Sequence, residues 1–135
     1  MTAKAEIHIS INTDSDIVTA RQQGRALAQE TGFNGSDLTV ISTAISEVAR
    51  NIVEHATSGE IVLRVVNDVP HPGLVVVARD NGPGIPDISL AMQDAYSTGK
   101  GLGLGLPGSR RLMDEFEIVS EVGRGTTVTM KKWSR

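Results

Sequence analysis

The sequence contains no cysteine, and its three histidines, His8, His55 and His71, show no metal-ligand spacing. The first absence excludes a disulfide scaffold and any zinc site that depends on cysteine, and it fits a reducing compartment. The second excludes the common zinc-binding arrangement of two histidines four residues apart on one helix. Aromatic residues make up only 3% of the chain. Isoleucine, valine, leucine and alanine must therefore build the core.

Charge and hydropathy argue against two further classes of protein. The 13 basic and 16 acidic residues give a net charge of −3, whereas nucleic-acid-binding domains usually carry a basic face. No apolar run approaches the roughly 20 residues that span a bilayer. Residues 1–6 contain no apolar signal-peptide stretch. We therefore expect a soluble cytoplasmic protein whose partners include neither nucleic acid nor membrane.

Hydrophobic periodicity predicts a mixture of helices and strands. Ile7, Ile9 and Ile11 alternate with polar residues, which is typical of a half-buried strand. Asp14 or Ser15 is expected to cap a helix that Gly32 ends, and Ser36 to cap the next helix. These two predicted helices end near residues 30 and 55, and two further helices are predicted at 87–95 and 106–116. The predicted strands are 5–11, 61–66, 74–78, 117–122 and 126–133.

These elements predict one α/β (α+β) domain over residues 1–135. The late strands favour a mixed, mostly antiparallel sheet, because tight glycine turns join neighbouring strands near the end of the chain. The second helix carries a single apolar stripe, so it can bury one face against that sheet. The expected architecture is a two-layer sandwich with helices on one face of the sheet.

Glu47 and Asn51 lie four residues apart on the second predicted helix and therefore share one face. That face is about 100° around the helix from the apolar stripe, so we expect the pair at the rim of the core. A glutamate can act as a general base, and an asparagine offers a neutral oxygen to a hard cation. Taken alone, the pair is better explained as an ordinary solvated glutamate and an ordinary helix asparagine.

Two glycine-rich stretches follow. Asp80-Asn81-Gly82-Pro83-Gly84 ends an apolar strand, and its carboxylate is suited to accept a hydrogen bond from an exocyclic amine such as that of adenine; a surface turn is the alternative. Residues 98–106 contain alternating glycines before a helix, an arrangement that suits phosphate; a flexible linker is the alternative. A dinucleotide site is excluded because no strand directly precedes this loop, and the Walker A pattern is absent.

In order along the chain, these three features resemble the N, G1 and G2 boxes of the GHKL superfamily, whose ATP-binding domain is the Bergerat fold. The matching residues are Glu47 and Asn51, then Asp80, Gly82 and Gly84, then Gly101, Gly103 and Gly105. A free-standing domain of this size is similar to the partner-switching serine/threonine kinases. Arg50, the stretch from residue 105 to 116 and the ending at 132–135 resemble the stressosome switch kinases rather than the anti-sigma kinases.

The resemblance implies ATP and Mg²⁺ as cofactors. Glu47 would be the catalytic base, Asn51 would hold Mg²⁺ and Asp80 would bond the adenine amino group. Gly82 and Gly84 would let the base approach, and Arg50 would face the phosphates or extend into solvent. Thr126 or Thr127 resembles the family's threonine near adenine, and we assign Thr127. The residues expected to wrap the phosphates are Lys100, Gly101, Leu102, Gly103, Leu104 and Gly105.

The resemblance also implies partners. The expected substrates are STAS-domain proteins of the stressosome, similar to RsbS and RsbR, and the released kinase would activate a PP2C-type phosphatase similar to RsbU. The alternatives are an anti-sigma factor kinase that sequesters a sigma factor and a nucleotide-gated adaptor in which Glu47 is idle. Glycine-rich chain has high conformational entropy, so we expect residues 97–103 to be largely disordered without nucleotide.

Overall fold

A computed structural model describes residues 6–56, 58–67, 71–85, 88, 92 and 105–134. Five strands and three helices lie within these ranges. In chain order they are β1 (Ile7–Ile11), α1 (Asp14–Thr31), α2 (Ser36–His55), β2 (Gly59–Val66), β3 (Gly73–Asp80), α3 (Gly105–Leu112), β4 (Glu115–Glu121) and β5 (Gly125–Trp133).

The five strands form one sheet in the order β1-β2-β3-β5-β4, and every pairing among them is antiparallel. Because side chains alternate along a strand, the register assigns each residue to one face of the sheet. One row on the core face crosses all five strands through Ile9, Ile61, Ala78, Val128 and Ile118. This row and the helices enclose a single hydrophobic core.

The predicted apolar stripe of α2 forms the centre of that core. Ile41, Ile45, Val48 and Ile52 are each at most 1% exposed. Helix α1 packs closely on α2 at Gly24, where an added Cβ atom would overlap the end of the Ile45 side chain. The two-layer α/β sandwich expected from the sequence, with helices on one face of a mostly antiparallel sheet, is thus confirmed.

The start of α1 differs from the prediction by one residue. Thr13 precedes the helix in an extended conformation (φ −135°), and Asp14 is already helical. The Asp16 carboxylate accepts hydrogen bonds from the backbone N–H groups of Asn12 (2.8 Å) and Thr13 (3.0 Å). Both bonds hold the pKa of Asp16 below its ordinary range, and the bond from Asn12 has the larger effect. The residue that secures this helix end is therefore Asp16, not Asp14 or Ser15.

We expect Asp16→Asn to lower the melting temperature at pH 7 and to lose this effect in acid. A carboxyl whose pKa is depressed by folding stabilises the protein above its unfolded pKa of about 3.9, and that stabilisation disappears as pH falls through the folded pKa. Thermal unfolding of both proteins between pH 7 and pH 2 measures the difference. A gap in melting temperature that stays constant across this range would contradict the assignment; Asp14→Asn in the same helix turn is the control.

Two other predicted boundaries were wrong. Helix α2 begins at Ser36, and the residue that precedes it is Gly35 with φ 58°, a left-handed conformation that suits glycine better than serine. Helix α3 ends at Leu112, whereas the sequence predicted helix to residue 116. Phe116 instead pairs with Met130 in the sheet. The predicted hairpin with residues 126–133 thus extends two residues further toward α3 than its predicted start at 117.

Two predictions about secondary structure fall outside the described residues. One is the helix expected at 87–95, of which most residues are not described, and the other is the disorder expected at 97–103. Among the described residues, no helix is both long and apolar enough to cross a membrane.

Candidate active site

Glu47 lies on α2 with only 5% of its surface exposed, so it is buried rather than at the rim of the core as the sequence predicted. Its Oε1 atom accepts a hydrogen bond from the backbone N–H of Gly105 at 3.1 Å. Its Oε2 atom lies 3.3 Å from Nη1 of Arg50, one turn along the same helix. Both carboxylate oxygens therefore have a donor, as a buried charge requires.

Packing of α3 on α2 explains why Gly105 reaches Glu47, which lies 58 residues earlier in the chain. Ser109 is completely buried, and its hydroxyl lies 3.3 Å from the Gly105 carbonyl oxygen and 3.5 Å from that of Ala44 on α2. Gly105 is the first residue of α3 and has φ 54°. The Glu47 carboxylate thus faces the positive end of a helix, which is a favourable position for an anion.

Asn51 and Arg50 extend this site toward solvent. Asn51 is half-buried on the face of α2 that it shares with Glu47, as the spacing predicted. The Arg50 side chain is 31% exposed and contacts Glu47 through a single nitrogen. Side chains that carry a carboxylate, a guanidinium and an amide therefore project from about one turn of α2.

Asp80 is the last residue of β3, at the end of the strand as predicted. Its Oδ1 atom accepts hydrogen bonds from the backbone N–H groups of Gly82 (2.9 Å) and Thr126 (3.2 Å). Within the described part of the chain, every hydrogen bond that the Asp80 carboxylate accepts goes to Oδ1 and none goes to Oδ2. The turn and the neighbouring strand β5 thus orient the carboxylate, and Oδ2 is available for a ligand.

Gly82 and Gly84 have packing roles that the glycine pattern alone did not indicate. An added Cβ atom at Gly82 would lie 2.7 Å from Cβ of Ala56, just past the end of α2. Gly84 has φ 81°, and an added Cβ atom there would overlap the backbone of Glu121. Both glycines therefore let the turn after Asp80 fit between α2 and β4.

The register of β5 places Thr126 and Thr127 on opposite faces of the sheet. Thr126 pairs directly with Asp80, and it is 5% exposed on the core side of the sheet. Thr127 pairs with Arg79 and Val119 on the opposite face. Because adjacent strand residues point to opposite faces, the side chain of Thr126 lies beside the Asp80 carboxylate and that of Thr127 does not. Of the two threonines, the structure thus brings Thr126 to Asp80 and places Thr127, the residue assigned from the sequence, on the other face.

Ser120 on β4 is a site residue that the sequence analysis missed. Its Oγ atom accepts a hydrogen bond from the Ile85 N–H at 2.7 Å and lies 2.8 Å from Oγ1 of Thr126. It therefore joins the turn after Asp80 to the hairpin of β4 and β5. No local pattern in the sequence marks it, because the register that pairs Ser120 with Thr126 and Thr126 with Asp80 is a property of the folded sheet.

The two carboxylates lie toward opposite ends of the second half of α2. Glu47 is nine residues before Ala56, which the Asp80 turn contacts through Gly82. At 1.5 Å per residue this separation is roughly 13 Å along the helix axis. Such an arrangement suits an extended ligand that is recognised at both ends. Lys100, Gly101, Leu102, Gly103 and Leu104 lie outside the described residues.

Comparison with known proteins identifies related sequences. Residues 11–132 match the family model described as a histidine kinase-like ATPase domain. The chain is 51% identical to serine/threonine-protein kinase RsbT of Bacillus subtilis, over 94% of this chain and 96% of that protein. It is 31% identical to the anti-sigma F factor of Geobacillus stearothermophilus, over 94% of this chain and 91% of that protein.

Solved structures share the fold at lower sequence identity. The mycobacterial sensor histidine kinase MprB aligns with a TM-score of 0.54 and 16% identity, covering 97% of this chain and 99% of that one. The catalytic domain of histidine kinase ThkA aligns with a TM-score of 0.52 and 17% identity, covering 93% and 95%. These likenesses concern the fold alone.

Proposed function

Since this chain belongs to the family of histidine kinase-like ATPase domains, we propose that it is a protein serine/threonine kinase that transfers the γ-phosphate of ATP to a partner protein. The observation that carries the proposal is the buried carboxylate of Glu47. This residue lies on α2 one turn from Asn51, and its carboxylate contacts the first residue of α3. The relative that is 51% identical over nearly the whole chain, and is named a serine/threonine-protein kinase, supports the same activity.

Glu47 is the proposed catalytic base. The hydroxyl oxygen of the substrate serine or threonine forms a bond to the γ-phosphorus, the bond from that phosphorus to the bridging oxygen breaks, and ADP leaves. The hydroxyl proton passes to the Glu47 carboxylate. Phosphoryl transfer depends mainly on position and charge, so one well-oriented carboxylate is sufficient as base. Arg50 and the Gly105 N–H supply that orientation.

Asn51 is the proposed Mg²⁺ ligand. Its amide oxygen is a hard donor of the kind that Mg²⁺ prefers, and Mg²⁺ usually takes one or two protein ligands together with phosphate oxygens and water. When bound, Mg²⁺ would neutralise charge on the phosphates. The phosphates themselves are proposed to contact the stretch Lys100–Gly105, with Arg50 beside them.

The adenine end is proposed to lie at Asp80. Its Oδ1 atom is occupied by two backbone N–H groups, and Oδ2 would accept a hydrogen bond from the adenine amino group. Thr126 lies beside this carboxylate. Gly82 and Gly84 keep the turn narrow, since side chains there would displace it from α2 and β4.

The proposed substrates are STAS-domain proteins, and the proposed second partner is a PP2C-type phosphatase that the released kinase activates. The sequence Glu47-Val48-Ala49-Arg50-Asn51, with arginine at its fourth position, favours this switch kinase. The alternative is an anti-sigma factor kinase, which the 31% identity to anti-sigma F factors supports. The cytoplasm is the proposed location.

Transfer of radiolabelled phosphate from Mg·ATP to a STAS-domain protein tests the proposal. We expect label on serine or threonine of that protein, with ATP labelled in the γ position only. Tight binding of Mg·ATP without transfer to the STAS protein would contradict the proposed substrate. Retention of a sigma factor on the immobilised protein, together with that result, would then favour the alternative.

A further inference from the structure

Ser120 stands at the centre of a small hydrogen-bonded cluster beside the proposed adenine site. Its Oγ atom accepts from the Ile85 N–H at 2.7 Å, lies 3.2 Å from the carbonyl oxygen of Gly125, and lies 2.8 Å from the hydroxyl oxygen of Thr126. Thr126 in turn donates its backbone N–H to Oδ1 of Asp80 at 3.2 Å. The cluster therefore connects Ser120 to the carboxylate that is proposed to bind the base.

One assignment of protons satisfies all the hydrogen bonds of this cluster at once. A serine hydroxyl has one proton to donate and two lone pairs that accept. The Gly125 carbonyl oxygen can only accept, so the Ser120 proton points to it. The Ile85 N–H can only donate. With the Ser120 proton directed to Gly125, Thr126 is the donor and Ser120 the acceptor in the contact between the two hydroxyls.

This direction determines what the site offers to a ligand. Once the Thr126 proton is given to Ser120, the Thr126 hydroxyl can only accept further hydrogen bonds. The Asp80 carboxylate beside it is also an acceptor only. The two groups together suit a ligand atom that carries two protons, such as the 6-amino group of adenine. A 6-oxo group at the same place would put acceptor against acceptor.

We propose that Ser120 is a positioning residue that sets nucleobase specificity by holding the Thr126 hydroxyl as an acceptor. This inference rests on the proposed nucleotide site, but not on phosphoryl transfer. If Ser120 is replaced by alanine, the Thr126 proton is free to turn toward another acceptor, including the Asp80 carboxylate. The site then presents one donor, and it discriminates less well between an amino and an oxo group.

The test compares dissociation constants of Mg·ATP and Mg·ITP, which differ at the 6-position of the base, measured by calorimetry on the wild type and three variants. We expect Ser120→Ala to reduce the preference for ATP over ITP by about tenfold, which is the effect of one hydrogen bond of about 1.4 kcal/mol. Ser120→Thr, which keeps the hydroxyl, should retain the preference. Ser10→Ala makes the same change at an exposed position of β1 and should leave it unaltered.

The ratio separates specificity from simple structural support. Ser120→Ala also removes the partner of the Ile85 N–H, so some loss of thermal stability is expected in either case. Equal weakening of both nucleotides would overturn the proposal, because a purely structural Ser120 changes affinity without changing the ratio. Absence of nucleotide binding by the wild type would overturn it together with the proposed site. Binding without phosphoryl transfer would affect only the proposed kinase activity.

Discussion

Glu47→Gln is expected to lower kcat for phosphoryl transfer by about 10²–10⁴-fold, the usual contribution of a general base. Glutamine has nearly the shape of glutamate, and its amide oxygen can still accept the hydrogen bond that Gly105 donates to Oε1, whereas its NH₂ group loses the single contact with Arg50. It cannot take the substrate proton. The affinity for Mg·ATP should therefore change little, and the loss should appear in kcat. Single-turnover transfer of labelled phosphate and direct titration of Mg·ATP measure the two quantities separately.

The control for this prediction is Glu30→Gln, an identical change at an exposed position near the end of α1. It should leave kcat and ATP affinity at the wild-type values. If Glu47→Gln retained its kcat, another group would have to accept the proton. If the variant instead lost ATP binding while kcat per bound nucleotide stayed constant, the carboxylate would serve to hold the start of α3 in place rather than to accept a proton.

Gly125→Ala is expected to destabilise the protein by about 3 kcal/mol or more and to weaken ATP binding at least about tenfold. Gly125 has φ 102°, a conformation that side chains rarely adopt. An added Cβ atom would also overlap the carbonyl oxygen of Asp80 and would lie 2.9 Å from Cα of Asn81. The backbone at Asp80 must then move, and the carboxylate moves with it. Urea unfolding and titration with Mg·ATP measure the two effects.

Gly123→Ala in the same hairpin is the matched control. Gly123 also has a left-handed backbone (φ 84°), but an added Cβ atom there would meet no other part of the described structure within 4 Å. We expect a cost of about 1–2 kcal/mol from backbone strain alone and no specific loss of ATP affinity. Similar losses of ATP affinity in the two variants would show that contact with Asp80 is not what makes Gly125 necessary.

Local patterns in the sequence determined the main elements and two parts of the candidate site. The apolar stripe of α2, the alternation in β1 and the glycines that end α1 and join β4 to β5 are properties of short segments, and each was confirmed. The Glu47–Asn51 spacing and the position of Asp80 at a strand end are local in the same way. Such features follow from residues within one or two turns, so they can be recognised without the tertiary structure.

Only the tertiary structure decided which distant groups meet. The register of β5 against β3 brings Thr126, not Thr127, beside Asp80, and that of β4 adds Ser120. Packing of α3 on α2 brings the Gly105 N–H to Glu47 and buries a carboxylate that helical spacing alone had assigned to the rim. Both outcomes depend on contacts between segments far apart in the chain, and a one-residue change of register reverses the face of every side chain in a strand. The sequence by itself thus determined the types of residue at the site, and long-range packing decided their partners.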